Sequence, residues 1–505
     1  MPSMEIEKYS SSEIDDLSYT ARNYAVSNGL VFLNNDEKSS EATTLTQIPV
    51  TLFPTVIPRE AFVEALSVQQ AYNKLYAKVS NDHRFLERCL KDMCGQDEFI
   101  SKLWKVYEES RAHFATLKKP CQQPVSLGIF RSDYLVTDSK EGPSCKQVEF
   151  NTISVSFGAA SKVVKNMHNY LSDYGLYHDR LTPNHLTINT STTGIVMGLN
   201  KAYCVYKQQA EQLLKEQNNE LPDKTAAQVI VLFIVDRNER NIMDQCALEI
   251  ELNNRFKVPS ARIYFDELDK SATLDNKTNK LFVKVKGKVY EVAVAYYRTA
   301  YALSEYTSEA DWNARLTVEK SLAIKCPSIA FHLAGSKKIQ QELAVEGVLE
   351  NYLSGNELKA IRYTFADMYP LDESEAGLKG RKLALESPEH YVLKPQREGG
   401  GNNVYGADIP KFLEKTEKKN WSSYILMRHI DAIPSTNYIL KGKKAVKFET
   451  VDELGILGTL VYNSKTGEEL QNTQVGYICR TKPINVSEGG VATGYASLSS
   501  VHLLD

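Results

Sequence analysis

The chain has 505 residues, 42% apolar and 24% charged, the balance of a folded globular protein and not of a disordered one. Sixty Lys and Arg against 63 Asp and Glu leave a net charge of −3, which excludes a polybasic nucleic-acid binder as the default. At ~150 residues per domain the length predicts two to four domains, and the longest clean apolar run, 229–235, falls far short of the ~20 residues of a membrane-spanning helix.

The opening stretch, Met1-Pro-Ser-Met-Glu-Ile-Glu-Lys8, has neither a secretory nor a transit-peptide layout, so a cytoplasmic location without membrane contact is expected. Ser12 with Asp15 reads as a capping box for a helix carrying Ile14, Leu17, Ala21 and Tyr24 on one face, and Gly29 as its stop. Residues 36–48 are polar and aperiodic, a loop. Phe99–Leu117 has helical periodicity. Ser126–Tyr134 reads as a strand ending in a polar loop, Lys146–Asn151 as a strand, and 162–174 as a helix. After a polar linker at 216–228, strand 229–235, helix 240–252, and strands at 262–265 and 291–297 predict a doubly wound α/β unit. Such units bind ligands beyond the carboxyl ends of their strands. Further on, 391–395 reads as a strand, 411–420 as a charged helix and 423–427 as a strand.

The eight cysteines are scattered without a Cys-x-x-Cys pair, which predicts reduced thiols. No His-Glu-x-x-His or His-x-His occurs, which argues against zinc.

Four segments carry chemistry. In Lys394-Pro-Gln-Arg-Glu-Gly-Gly-Gly-Asn-Asn403 three glycines let backbone amides approach phosphate oxygens. There Lys394 adds a point charge and Glu398 an oxygen ligand for Mg²⁺. The bland alternative is a hairpin tip. Glu149 and Asn151 alternate on one strand face, which suits a hard cation or, more simply, a solvated edge. Arg480 and Lys482 share a face ahead of the loop Glu488-Gly-Gly-Val-Ala-Thr-Gly494. Asn238-Glu-Arg-Asn241 and Gln245 pair with Arg298-Thr-Ala-Tyr301 at strand ends of one unit, which suits a small zwitterion or plain surface ion pairing.

These segments, with Leu127–Tyr134, Gln147–Phe157, Leu333–Lys338, Tyr424–Met427 and Glu453–Ile456, resemble the eukaryotic glutathione synthetase family nearly end to end, most closely its fungal members. The resemblance implies a mixed α/β ATP-grasp fold in permuted order. It implies an ATP-grasp body in 1–228 with a metal and substrate segment at 127–157, a substrate-binding α/β domain at 229–334, and a lid with the C-terminal catalytic part at 335–505. It implies an ATP-dependent ligase that forms glutathione from γ-glutamylcysteine and glycine, with Mg²⁺, as a homodimer. By position, Glu149, Asn151 and Glu398 would hold the metal. Glu149, Lys337, Lys394, Gly399, Gly400, Gly401, Asn402, Asn403, Tyr405, Met427, Arg428, His429, Ile430, Glu453, Lys482 and Glu488 would meet ATP. Arg131, Ile153, Ser154, Val155, Ser156, Glu239, Arg240, Asn241, Gln245, Arg298, Thr299, Ala300, Tyr301, Arg480, Val491 and Ala492 would meet the peptide. Arg131, Lys337, Lys394 and Arg480 are the expected catalytic charges, and the Gly399–Gly401 tip the expected lid. Two alternatives stand beside this: a related ligase using an acceptor such as β-alanine, and a non-catalytic ATP-binding protein. The loop reads Val491-Ala-Thr-Gly494 where the family usually has Val-Ala-Ala-Gly. Arg428-His429 and Glu488 also depart from its common pattern.

Overall fold

The computed structural model describes residues 5–34, 44–116, 123–140, 142–178, 186–216, 227–396, 402–487 and 489–504. Its centre is a seven-stranded sheet in the order Ser435–Lys441, Val50–Thr51, Ser497–Ser499, Glu468–Pro483, Lys444–Asn463, Val125–Ser139, Gly142–Asn151. Two-residue alternation decides what each face does. Along Val125–Ser139, Phe130, Tyr134 and Val136 enter the core beneath helix Arg59–Asn81, whereas Leu127 and Ile129 join the core around helices Gly158–Asp173 and Ser191–Glu216. That second face continues past its helical cover to Arg131 and Asp133. Strand Lys444–Asn463 repeats the pattern: Leu457 and Val461 are covered, and Glu453 is beyond the cover. So does Glu468–Pro483, where Ile478 is covered and Arg480 and Lys482 follow. A binding floor is thus the uncovered end of one apolar sheet face.

A second sheet places Ser260–Tyr264, Gln228–Val235 and Lys288–Tyr297 parallel, with Ile324–Cys326 parallel beside the last and Leu281–Val285 and Ala272–Leu274 antiparallel at the edge. Residues 230–235 are buried on both faces, as their continuous β-branched and aromatic run requires. Helix Ser191–Glu216 packs on both sheets and so aims the carboxyl ends of these strands at the first sheet's uncovered face.

A third, antiparallel sheet has the order Met368–Pro370, Tyr424–Arg428, Tyr391–Pro395, Val404–Tyr405. Tyr391, Leu393 and Leu426 join Leu413 and Trp421 in a small core of their own. The alternating residues Val392, Lys394 and Met427 face the other way, toward the first sheet.

Local expectations shift in several places. The first helix is Ser11–Ser27, capped by Ser10 with Glu13 and not by Ser12 with Asp15: Ser10 Oγ accepts from Glu13 N, and Glu13 accepts from Ser10 N at 2.7 Å. Thr44–Gln47, read as loop, pairs antiparallel with Val31–Asn34. The charged helix is Asp408–Lys415; Thr416 is extended, and Trp421 turns back to donate Nε1–H to the Thr416 carbonyl while burying its ring. Burial of one large aromatic overrides the helical spacing of the surrounding lysines.

Candidate active site

The three sheets enclose a cavity of about 600 Å³. Its lysine end is built from Lys337, at the start of helix Lys337–Leu343, and Lys394, on the third sheet. Both are buried. Lys337 Nζ lies 3.4 Å from a Glu149 oxygen, and Lys394 donates to the Val148 carbonyl at 3.0 Å. Gly335 permits this approach: a Cβ there would fall 2.2 Å from Thr152 Oγ1. Burial opposes the charge on Lys394 and, despite the attraction of Glu149, lowers its pKa to about 8. Burial alone would raise Glu149, but Lys337, Lys394, Arg131 and Arg480 outweigh it and hold the carboxylate ionised well below its usual range.

At the arginine end, Arg131 donates Nε and NH2 to the two oxygens of Asp133 at 2.6 and 2.7 Å. Arg480 donates to Asp133 at 2.8 Å and to Glu453, its cross-strand partner. These acids overcome the burial penalty and keep Arg480 firmly protonated. The described lining holds seven Arg and Lys side chains, Arg131, Arg298, Lys337, Lys394, Arg428, Arg480 and Lys482, against Glu149, Glu239, Asp431, Glu453 and the enclosed Asp133, so the cavity favours anions.

The α/β unit supplies the third wall. Arg298, at the end of strand Lys288–Tyr297, donates to the Val155 carbonyl and to Ser156 Oγ at 2.7 Å. Asp244 accepts from the amides of Phe157 and Ala160 at 2.9 and 3.0 Å. Together they clamp the 153–157 loop, in which Ser154 and Phe157 sit at φ 52° and 66°. Non-glycine residues in that region carry strain that the surroundings must hold in place. Asn241 is buried, and its side-chain amide has no hydrogen-bond partner among the described residues, a group a polar ligand would satisfy.

Of the sequence-predicted site residues, the cavity wall gathers Arg131, Glu149, Asn151, 153–156, Glu239, Asn241, Arg298, Tyr301, Lys337, Lys394, Asn402, Asn403, Tyr405, 427–430, Glu453, Arg480, Lys482, Val491 and Ala492. Four others are not part of that wall. Arg240 lies over the Phe32 ring, Gln245 is buried between Glu239 and Arg262, Thr299 bonds Glu305, and Ala300 is buried at φ 71°. Glu398, Gly399–Gly401 and Glu488 lie outside the described residues. Sequence reading missed the apolar strip of Val148, Val392, Val451, Ile484 and Val486. Its signal was present in the alternation Arg480, Lys482, Ile484, Val486 and in Val451 two residues before Glu453. It also missed Asp133.

Glu149 and Asn151 fit a hard cation: an ionised carboxylate stands beside an amide whose Nδ2 donates to Asp133 at 3.0 Å and to the Arg131 carbonyl at 3.4 Å, which leaves the amide oxygen's lone pairs for a cation. Among the described residues no group of three or more His, Cys, Asp and Glu forms a metal cluster. Among them, too, no helix is long and apolar enough to cross a membrane.

A charged sheet face opposed by a small antiparallel sheet, with an apolar strip between, makes this a mixed α/β protein of ATP-grasp type. A solved structure of the same fold, a glutathione synthetase-like effector from Globodera pallida, superposes with TM-score 0.73 at 20% identity over 98% of each chain. The chain belongs to the eukaryotic glutathione synthase family, whose ATP-binding-domain model matches residues 11–503. It is 55% identical over 500 residues to the glutathione synthetase large chain of Schizosaccharomyces pombe, spanning 99% of this chain and 100% of that one. It is 36% identical over 493 residues to glutathione synthetase of Rattus norvegicus, spanning 97% and 96%.

Proposed function

We propose that this chain joins γ-glutamylcysteine to glycine with ATP, giving glutathione, ADP and phosphate. The observation that carries the reading is one cavity with a lysine–carboxylate end, an arginine end and an apolar strip between them. A carboxylate is a poor acyl donor until one oxygen becomes a leaving group, and transfer of the γ-phosphoryl group makes it one. In this reading the acyl phosphate forms directly on the dipeptide carboxylate and not through an enzyme-bound acyl group.

The protein's work is then positioning and charge. Val148, Val392, Met427 and Ile484 pack the adenine. Lys337 and Lys394 take the charge of the transferring phosphoryl group. Arg131 and Arg480 hold the donor carboxylate and then the tetrahedral oxygen left after glycine attacks. Asn241, Arg298 and the 153–156 loop hold the zwitterionic γ-glutamyl group. Glu149 and Asn151, with Glu398, would hold Mg²⁺, which supplies charge neutralisation at the phosphates when bound. Thr493, in the acceptor loop, donates its hydroxyl back to the Gly490 carbonyl at 3.0 Å, which keeps the turn tight around a short acceptor.

The reading also assigns the body, substrate-binding and lid roles to 1–228, 229–334 and 335–505, and makes the protein a cytoplasmic homodimer, which sedimentation and cell fractionation test. The direct test is phosphate release with each substrate omitted in turn. Turnover is expected only with ATP, γ-glutamylcysteine and glycine together. Exchange of glycine for β-alanine adds one methylene and is expected to lower kcat/KM by ~10- to 200-fold. Equal or higher kcat/KM with β-alanine moves the chain to another acceptor, and no dipeptide-dependent phosphate release removes the ligase reading.

A further inference from the structure

Between the two arginines sits Asp133, whose side chain has no solvent exposure. Its Oδ1 accepts from Arg131 Nε at 2.6 Å. Its Oδ2 accepts from Arg131 NH2 at 2.7 Å, Arg480 NH2 at 2.8 Å and Asn151 Nδ2 at 3.0 Å. One carboxylate therefore ties together side chains from three strands: Val125–Ser139, Gly142–Asn151 and Glu468–Pro483. Two guanidinium groups brought this close would repel each other; a shared acid cancels the repulsion and fixes both planar forks.

The floor beneath is shaped to match. Gly455 is the cross-strand partner of Asp133. A Cβ on Gly455 would lie 2.7 Å from Asp133 Oδ1 and 2.9 Å from Arg131 Cδ. No left-handed φ requires a glycine there, so its service is space.

The structure assigns Asp133 as a positioning residue that sets Arg131 and Arg480 for the donor carboxylate and turns Asn151 so that its amide oxygen faces the cation, over a floor left bare by Gly455. The assignment rests on the ligase reading above. It differs from a purely structural role in what it predicts: loss of Asp133 disturbs dipeptide and cation binding together while sparing the nucleotide's apolar strip.

The test uses full-length Asp133→Asn and Gly455→Ala. In Asp133→Asn, calorimetry with γ-glutamylcysteine alone is expected to show at least tenfold weaker binding. An electron-paramagnetic-resonance titration of Mn²⁺ with a non-hydrolysable ATP analogue is expected to show at least threefold weaker cation binding. The KM for ATP stays within threefold, and kcat falls at least tenfold. Gly455→Ala keeps every charge and is expected to reproduce the loss of dipeptide affinity by displacing the Asp133–Arg131 pair. Dipeptide affinity within threefold of wild type in folded Asp133→Asn overturns the assignment; if that variant does not fold, wild-type affinity in Gly455→Ala overturns it. A wild-type protein that fails to ligate overturns the ligase reading instead, so the two failures are distinguishable.

Discussion

The two ends of the cavity use different cations under different constraints. At one end Lys337 and Lys394 are compact point charges pressed into burial, and burial leaves Lys394 with a pKa of about 8. At the other, Arg131 and Arg480 are planar forks, each bonded to an acid beside it. A phosphoryl group passing between oxygens needs charge that can follow it, which a rotatable ammonium supplies. A carboxylate held for attack needs a fixed direction, which a paired guanidinium supplies. The difference also separates how the two ends meet pH: Arg480 is held firmly protonated, whereas Lys394 can lose its proton.

The largest effect expected from breaking this division is at Lys394. Lys394→Met removes the buried ammonium and fills similar space, so kcat should fall by ~10²–10³ through lost transition-state charge. Glu149 keeps Lys337 as partner, and a desolvated ammonium is gone, so the melting temperature should hold or rise. Steady-state kinetics with thermal melts checks both halves; a kcat within tenfold of wild type would place the phosphoryl group elsewhere.

Arg480→Lys tests whether the fork matters beyond its charge. Loss of one charge-assisted bond is expected to lower kcat/KM for γ-glutamylcysteine by ~10- to 100-fold. KM for ATP should move less than threefold, because the variant keeps the positive charge.

The smallest effect is the pH response, and its sign is opposite for binding and for stability. As pH rises through about 8, Lys394 loses its proton, and ATP affinity should fall by up to about tenfold between pH 7 and 9.5. Between about pH 8 and the ordinary lysine value near 10.5, the unfolded chain binds the proton more tightly than the folded one, so this group's contribution to stability rises with pH there. Glu149, held below its usual range, acts in the same direction in an acid window: its contribution is present above 4.5 and lost as pH falls below it. ATP titrations at several pH values, repeated on Lys394→Met, check the assignment, since the variant should show neither lysine-dependent slope.

Much of the lysine end was legible in the chain. Lys394 announces itself beside three glycines, and Glu149 and Asn151 alternate on a strand pattern. The arginine end was legible only in part. Arg131-Ser-Asp133 reads as a strand running out into a polar loop, yet the strand continues to Ser139 and Asp133 is enclosed. Its polarity is hidden by bonds to Arg480 and Asn151, which no local pattern reports. In the other direction, Gln245 belongs to a segment rich in site chemistry but is spent on Glu239 and Arg262 and is not part of the wall.

The sequence by itself determined the elements, the period-two alternation that gives each strand a covered and an uncovered end, and the family to which its motifs point. Alternation is set by the pleat, which is local, so single strands suffice to read it. Only the tertiary structure decided which uncovered ends meet. Helix Ser191–Glu216 wedges two sheets, Gly335 and Gly455 leave room for close approach, and charges from distant strands then satisfy one another. The value of a buried charge depends on its partners, and those lie hundreds of residues away in sequence, as Asp133 does from Arg480.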